Sequence, residues 1–583
     1  MDLKYALVAD LYERIEMTSK RLEMTDYLVE LLKETPRALI GKVVYLTQGK
    51  LYPDFLGIEM GMAERMAIDA IVKATGTEER VVVQSWKRSG DLGLTVEELL
   101  REKPPPKETL TVEEVYETFD RIAHTSGKGS VEVKVDLLVN LLKKASPKEA
   151  RYLLRVVTGR LRLGVGDMTI LDALAVAYAG GKRYRSALEE AYNLSSDLGH
   201  VAETLVEKGL EGIRRFEVTV GRPIRPMLAE RMPSAEEILE RLGGKGAAEF
   251  KYDGLRIQAH LSPERTFLFS RRLENITDQF PDVVKALRES VKAKEAIVEG
   301  ECVAVDPHTG DMFPFQMVSR RRGRKYEITR MMEEIPVDIY LFDLLYLDGR
   351  DFTKVPYPQR RRELEEIVQE SERVKLAKQF ITDNPRELDE YMETAIEKGC
   401  EGLLIKSIDH ESVYTAGKRG FKWLKSTREY KSEMADTVDL VVVGGFAGRG
   451  KRAGTYGALL MAAYNPRNDV FETVCKLGTG FTDQDLARIP KLFENLKLDH
   501  RHPRVESTME ADQWFIPAKV LEVRGAELTL SPSHTCAWNK IKEGAGLAIR
   551  FPRLEKWRED KAPEDATTVE EIMEMYQSQL KHI

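Results

Sequence analysis

The pattern of apolar residues changes twice along the chain, and each change predicts a different kind of domain. In the first two hundred residues Leu11, Ile15 and Leu22 recur at helical spacing. After a stretch rich in proline and glycine near Val218, short β-rich runs such as AEFKYDGLRIQAHL and DIYLFDLLYLDG alternate with helical segments. Beyond Lys431, further strand-like runs are separated by glycine-rich turns. Because 583 residues are too many for one hydrophobic core, these changes predict separate domains.

We expect three of them: an all-α domain at residues 1–217, an α+β domain at residues 218–426 and a small β-barrel domain at residues 427–583. The strings TVEE at Thr111–Glu114 and SPKE at Ser146–Glu149 are typical helix starts. A second TVEE string at Thr568–Glu571 predicts a helix at the end of the last domain.

Charge and cysteine content exclude some functions. The 89 Lys and Arg against 96 Asp and Glu give a net charge of −7, so any binding of nucleic acid must come from local basic faces. The 4 cysteines form no CxxC pair, which excludes a readable zinc finger or disulfide framework. No apolar run approaches the length of a membrane helix and no signal-peptide core is present. We therefore expect a protein of the cytoplasm without a membrane partner.

The string AEFKYDGLRIQAH carries the strongest chemical signal. On a strand, Glu249, Lys251 and Asp253 project from one face, and Phe250 and Tyr252 project from the other. A lysine with apolar neighbours is partly desolvated, which favours the amine form that attacks a phosphate. An ordinary lysine on an edge strand is the structural alternative, and the string alone leaves both open.

The KYDGLR part of this string (Lys251–Arg256) is the first of a series of motifs in a fixed order over about three hundred residues. The others are SRRLEN (Ser270–Asn275), VEGECVAVD, YLFDLLYLDG, EGLLIK, KRGFKWLK and RFPRLEKWREDK (Arg550–Lys561). This series resembles the covalent nucleotidyltransferases and specifically the ATP-dependent DNA ligases, of the archaeal and eukaryotic replicative type.

The resemblance implies a helical DNA-binding domain, an adenylation (nucleotidyltransferase) domain and an OB-fold domain with a C-terminal helix, in that order. It implies that Lys251 attacks ATP to form lysyl-AMP. The adenylate then moves to the 5′-phosphate of a nick in duplex DNA, and the 3′-hydroxyl seals the strand. The residues implied at the nucleotide are Glu249, Arg256, Arg271, Glu301, Phe342, Arg419 and Lys425.

Two further sets are implied by the same motifs. Glu301 and Glu401 are carboxylates that could converge on Mg²⁺, which prefers oxygen ligands. Arg558, Asp560 and Lys561 lie in the presumed barrel domain and would orient the pyrophosphate leaving group. For this, the barrel domain must close over the site and later swing away.

Local clusters of basic residues predict the DNA contacts. They are Arg151, Arg155, Arg160 and Arg162 in the helical domain, and Lys422 and Arg428 near the end of the α+β domain. Such faces bind phosphates without reading bases. We expect a monomer associated with the nucleoid. Binding to a sliding clamp is a further hypothesis, although no glutamine-led motif that ends in paired aromatic residues is found.

Three alternatives remain open. An mRNA capping guanylyltransferase also uses Lys-x-Asp-Gly, but the long helical region and the WREDK string oppose it. An NAD-dependent ligase is opposed by the missing four-cysteine zinc site. The third is an inactive relative that clamps DNA, against which the intact Lys251, Glu301, Glu401 and Lys425 argue. Use of ADP or NAD as a second adenylate donor also stays open.

Overall fold

The computed structural model describes residues 2–306, 310–322, 326–427, 434, 436–448 and 455–581. These residues form two compact units. One contains Met1–Pro226 and Arg272–Asn275, and the other contains Met227–Arg271 and Ile276–Ile583. Within the described part of the chain, no helix is both long and apolar enough to cross a bilayer.

The first unit is helical, as the periodicity of its apolar residues predicts. Its apolar faces meet in one core, which includes Tyr12, Phe119 and Leu153. At Ser146 the predicted capping box is confirmed, with Glu149 as its partner. The helices described between residues 2 and 226 are α1 Tyr5–Glu16, α2 Arg21–Glu34, α3 Ile40–Thr47, α4 Glu64–Thr75, α5 Glu79–Ser89, α6 Leu92–Arg101, α7 Val112–His124, α8 Ser130–Lys144, α9 Pro147–Val157, α10 Asp167–Tyr178, α11 Arg185–Ser195 and α12 Leu198–Arg214.

The second unit begins with an α+β region. Its helices are α13 Ala235–Arg241, α14 Pro281–Ser290, α15 Phe315–Ser319, α16 Ile328–Glu334, α17 Tyr357–Ile367 and α18 Pro385–Glu397. Its strands are β1 Leu228–Arg231, β2 Gly246–Lys251, β3 Leu255–Leu261, β4 Thr266–Ser270, β5 Ala296–Ala304, β6 Val337–Leu347, β7 Arg350–Asp351, β8 Val374–Leu376, β9 Gln379–Thr382, β10 Gly402–Lys406 and β11 Arg419–Thr427. One sheet has the order β1-β11-β10-β2-β9, and the other has the order β4-β3-β5-β6-β7 with β8 paired to β6.

The register of the first sheet determines which side chains share a face. Directly opposite residues of antiparallel strands lie on the same side of a sheet. Lys251 lies opposite Gly402, and Leu404 lies between Glu249 on β2 and Lys425 on β11. The alternate positions of β2, β10 and β11 therefore form one polar face. The other face packs on α18, where the ring of Phe250 lies 4.9 Å from that of Tyr391.

The rest of the second unit is rich in β-strands. These are β12 Val438–Ala447, β13 Tyr456–Asn465, β14 Val470–Leu477, β15 Lys497–Leu498, β16 Val505–Glu506, β17 Gln513–Phe515, β18 Val520–Arg524, β19 Glu527–Ser531, β20 Gly546–Arg550 and β21 Arg553–Trp557. Strand β12 pairs with β13, β17 and β18, whereas β19 and β20 form a separate pair. The helices are α19 Asp483–Phe493 and the predicted C-terminal helix, α20 Val569–Lys581.

Candidate active site

Lys251 is the last residue of β2 and forms an ion pair with Glu401, just before β10. The two positions are tied through the backbone as well, because the Glu401 amide donates to the Lys251 carbonyl at 2.8 Å. Both side chains are about a third exposed, so the amine is accessible from solvent. The structure therefore brings together the predicted nucleophile and one predicted metal ligand, which are 150 residues apart in the sequence.

The turn after Lys251 brings the chain close to β5. A Cβ atom on Gly254 would lie 2.4 Å from the Cys302 carbonyl oxygen, so only glycine fits without movement of the backbone. The neighbour of Cys302 on β5 is Glu301, which lies opposite Arg256 on β3. The glycine of the KYDG string thus allows the nucleophile strand to approach the strand of the second predicted metal ligand.

Glu301 lies among several charged side chains. Burial raises the pKa of its carboxyl to about 8; the positive charges of Lys251 and Arg256 act against that rise, and the negative charges of Glu401 and Asp253 add to it. A buried carboxylate whose pKa is raised by neighbouring negative charges is stabilised in its ionised form by a cation bound beside it. Glu301 and Glu401 therefore fit a divalent metal ion.

The protein alone does not complete such a metal site. In the described part of the chain, no group of three or more His, Cys, Asp or Glu is arranged to hold a metal ion. Mg²⁺ commonly keeps several waters and binds one or two carboxylates together with phosphate oxygens. A pair of carboxylates beside a phosphate site agrees with that preference.

Glu249 is deeply buried on β2 and is surrounded by donors. Lys406 Nζ lies 2.8 Å from its Oε2 atom. Its Oε1 atom accepts a hydrogen bond from the Tyr357 hydroxyl and a longer one, of 3.4 Å, from Arg361 Nη1. These contacts fix the Glu249 carboxylate in place within the α+β region.

Arg256 is anchored on the second sheet. Its Nη2 atom donates to Glu299 at 2.8 Å and its Nη1 atom donates to the Met227 carbonyl at 2.9 Å. The Tyr414 hydroxyl also donates to Glu299, at 2.8 Å. The Arg256 Nε atom is buried and has no hydrogen-bond partner among the described residues.

Phe342 lies on β6 and is 8% exposed. Its ring contacts that of Trp423 edge-on, with centroids 6.3 Å apart, and the Arg256 guanidinium lies 5.5 Å from its centroid. The predicted base platform is therefore adjacent to the predicted nucleotide contact Arg256.

Three predicted phosphate-binding cations lie around Lys251. Burial lowers the pKa of Lys425, and the positive charges of Lys251, Arg419 and Arg271 lower it further. Lys425 thus lies within electrostatic range of the other three cations. Among the described residues, the carboxylate paired with Arg419 is that of Glu230, at 4.0 Å. Concentrated positive charge of this kind is suited to a polyphosphate.

The last predicted set lies elsewhere. Arg558 pairs with Asp439 at 3.0 Å and with Asp560 at 2.7 Å, and Lys561 pairs with Asp439 at 2.6 Å. No contact among the described residues joins them to Lys251. The β-rich region instead contacts the α+β region through β20, where Arg550 Nη2 donates to the Cys400 carbonyl at 2.9 Å.

Two of the predicted DNA contacts are buried. Arg151 is paired with Glu97 at 3.0 Å, and Arg155 is paired with Asp91 at 2.8 Å and with Glu16 at 2.8 Å. These guanidinium groups hold α9 against α1 and α6, so the structure does not place them on a free phosphate-binding face. Arg151 and Arg155 are four residues apart on one face of α9, and that face is internal.

The other predicted DNA contacts differ in their placement. Arg160 and Arg162 are about half exposed, with carboxylate partners at 2.8 Å and 3.3 Å. Lys422 is a third exposed and pairs with Asp409 at 2.7 Å. Arg428 lies outside the described residues.

The EGLLIK motif supplies Lys406 as well as Glu401, although the sequence does not show what Lys406 contacts. Sequence reasoning missed four other residues of the site, namely Tyr357, Arg361, Glu299 and Tyr414. Lys406 ends the EGLLIK string, and alternation along that strand places it on the face of Gly402 and Leu404. The register of β10 with β2, which brings Lys406 to Glu249, depends on the tertiary structure and does not follow from the local sequence. Tyr357 and Arg361 are four residues apart on α17, a helix without a motif.

Comparison with known proteins gives three family matches. Residues 226–426 match the ATP dependent DNA ligase domain, residues 4–175 match the DNA ligase N terminus, and residues 452–561 match the ATP dependent DNA ligase C terminal region. Together these matches cover most of the chain.

Curated relatives match over the full length. DNA ligase 2 of Thermofilum pendens is 55% identical, over 100% of this chain and 98% of that protein. DNA ligase of Staphylothermus marinus is 51% identical, over 99% of each. Among solved structures, mycobacterial DNA ligase D complexed with ATP and MES is 23% identical with a TM-score of 0.28, over 59% of this chain and 97% of that chain. The Chlorella virus DNA ligase-adenylate is 16% identical with a TM-score of 0.28, over 57% and 99%.

Proposed function

The chain belongs to the family of ATP-dependent DNA ligases, and on that premise we propose how its residues divide the work of sealing a nick. The enzyme uses ATP and Mg²⁺ to seal nicks in duplex DNA through a lysyl-AMP intermediate. The observation that carries the assignment of roles is the ion pair between Lys251 and Glu401, beside Glu301 and a group of cations.

Lys251 is the nucleophile. Its Nζ atom forms a bond to the α-phosphorus of ATP as the bond to the pyrophosphate oxygen breaks. The amine must lose a proton before attack, and Glu401 is the carboxylate in contact with it. In the second step the 5′-phosphate of the nick takes the adenylate from the lysine. In the third, the 3′-hydroxyl attacks the activated phosphate and AMP leaves.

Phosphate oxygens are neutralised by the cations near Lys251. Arg271, Arg419 and Lys425 bind the triphosphate and later the phosphates of the nick. Mg²⁺, when bound, supplies further positive charge at the reacting phosphate, and Glu301 and Glu401 would hold it.

Adenosine binds between the two sheets. Arg256, whose guanidinium lies 5.5 Å from the ring centroid of Phe342, binds the nucleotide from the second sheet. Phe342 packs against the purine ring, and Glu249 accepts a hydrogen bond from the 6-amino group of adenine.

The C-terminal region acts in the first step. We assign it an OB fold, supported by the continuous pairing of β13, β12, β18 and β21. Arg558, Asp560 and Lys561 orient pyrophosphate for in-line departure. Since they pair within their own region here, that region must rotate to bring them to ATP.

We assign the binding of DNA phosphates to the partly exposed Arg160, Arg162 and Lys422, and to Arg428, which lies outside the described residues. The first two belong to a helical domain at residues 1–217, Lys422 to an adenylation domain at residues 218–426, and Arg428 to the C-terminal domain at residues 427–583. We propose a monomeric enzyme that associates with the nucleoid through phosphate contacts that do not read sequence. Binding to a sliding clamp is tested by retention of the enzyme on immobilised clamp.

A sealing assay tests the division of roles. A duplex with one nick, labelled at the 5′-phosphate, is incubated with ATP and Mg²⁺. Glu401→Gln should slow sealing about a hundredfold or more, because it removes the carboxylate at the nucleophile. Glu397→Gln changes an acid that contacts Ser531 instead, and is the matched control. Equal sealing by the wild type and Glu401→Gln would contradict the assignment.

A further inference from the structure

The ammonium group of Lys406 lies inside the adenylation domain with no access to solvent. Its Nζ atom lies 2.8 Å from Glu249 Oε2 and donates to the Phe342 carbonyl at 3.1 Å. Glu249 and Phe342 are the residues assigned above to the adenine. Lys406 therefore contacts both residues that are assigned to the base.

Aromatic rings enclose the same ammonium. Its Nζ atom lies 4.9 Å from the ring centroid of Phe342 and 4.6 Å from each of the centroids of Tyr357 and Trp423. Burial lowers the pKa of Lys406, and the charges of Glu249 and Asp343 act against that effect. An ammonium is expensive to bury, and here an ion pair and cation–π contacts offset the loss of water.

Glu249 has a defined number of free acceptor positions. A carboxylate offers about four lone pairs. Three donors approach Glu249 in the structure: Lys406, Tyr357 and Arg361. One position is left for a ligand. Because a carboxylate accepts but does not donate, that position suits an amino group and opposes a carbonyl oxygen.

We propose that Lys406 is a positioning residue that makes the enzyme select adenine. By holding Glu249 as a fixed, charged acceptor, it lets the site bind the 6-amino group and reject purines that carry a 6-oxo group or no substituent there. The proposal rests on the role assigned above to Glu249. A purely structural ion pair would affect stability and the rates with all nucleotides equally, without changing the choice of base.

Base selection is measured by the rate of self-nucleotidylation with ATP relative to purine riboside triphosphate, which lacks the 6-amino group. Inosine triphosphate serves as the 6-oxo probe. In Lys406→Met, a replacement of similar length without charge, the preference for ATP over both should fall about tenfold or more. Arg321→Met removes another buried cation of this domain, paired with Asp282, and should keep the wild-type ratio.

A second variant separates this proposal from the one on which it rests. Glu249→Ala should abolish the preference; if it does not, Glu249 does not bind the amino group and both assignments fall. If Glu249→Ala abolishes the preference while Lys406→Met only slows all three nucleotides equally, the role of Lys406 is wrong and that of Glu249 stands. Should Lys406→Met not fold, Lys406→Gln, which keeps a donor without charge, must also reduce the ratio.

Discussion

Lys561 and Asp439 are joined by an ion pair of 2.6 Å within the C-terminal domain, although the assigned task of Lys561 is to contact ATP. Arg558 shares the same aspartate at 3.0 Å. Asp439 therefore neutralises both cations in this arrangement of the domain. The rotation proposed for the first step must replace these contacts with contacts to the pyrophosphate.

Lys561→Ala should separate the first step from the third. Self-adenylation should slow about tenfold or more, because the departing pyrophosphate loses one of the cations that stabilise its negative charge. Sealing of a nick that already carries the 5′-adenylate should change little, since no pyrophosphate leaves in that step. Lys556→Ala, at an exposed lysine paired with Glu522, is the control. Equal losses in both assays would contradict the leaving-group role.

Lys251→Ala should abolish adenylation and keep binding to nicked DNA. The change removes the nucleophile but leaves the cations that hold phosphate. Gel shifts with a nicked duplex and labelling with radioactive ATP measure the two properties separately. Lys245→Ala, at an exposed lysine just before β2, should retain both. A labelled Lys251→Ala protein would place the nucleophile elsewhere.

Arg155 and Arg160 should respond differently to replacement by alanine. Arg155 and its partner Asp91 are both almost fully buried, and Arg155→Ala removes the nearer of two cations at Asp91, with Arg162 remaining at 3.3 Å. The change should therefore cost about 1 to 3 kcal/mol of unfolding free energy. Arg160→Ala should leave stability unchanged and reduce the salt dependence of DNA binding by about one unit of slope. Thermal unfolding and titrations at several salt concentrations test both.

His260 makes a prediction about acid stability. Burial lowers its pKa to about 3, so the folded protein keeps it neutral. The unfolded chain binds a proton below about pH 6.5 while the folded one does not, and stability therefore falls as the pH drops from about 6.5 towards 3. His260→Leu removes the imidazole that takes up this proton when the chain unfolds. Its melting temperature should fall less than that of the wild type between pH 7.5 and pH 5; an equal fall would show that His260 is not the group responsible.

The sequence predicts the parts of this enzyme that depend on local pattern. The helical first region and the strand-rich remainder follow from the spacing of apolar residues. The motifs predict Lys251 as the nucleophile and Glu401 as a metal ligand, and the structure places these two residues in contact. Burial of Arg151 and Arg155 was not predictable from their spacing, because their carboxylate partners lie 54 to 139 residues away. Lys406 is part of the EGLLIK motif, but its contact with Glu249 was not predictable for the same reason, because it depends on the register of β10 with β2.

The most direct test of the account is the intact mass of the purified enzyme after incubation with Mg²⁺ and ATP, GTP or NAD in separate samples. Protein that carries adenylate from purification is first discharged with pyrophosphate. We expect a gain of one AMP from ATP, no gain from GTP, and no adduct on Lys251→Ala. A GMP adduct, or an AMP adduct that persists without Lys251, would contradict the assigned nucleophile and adenine site.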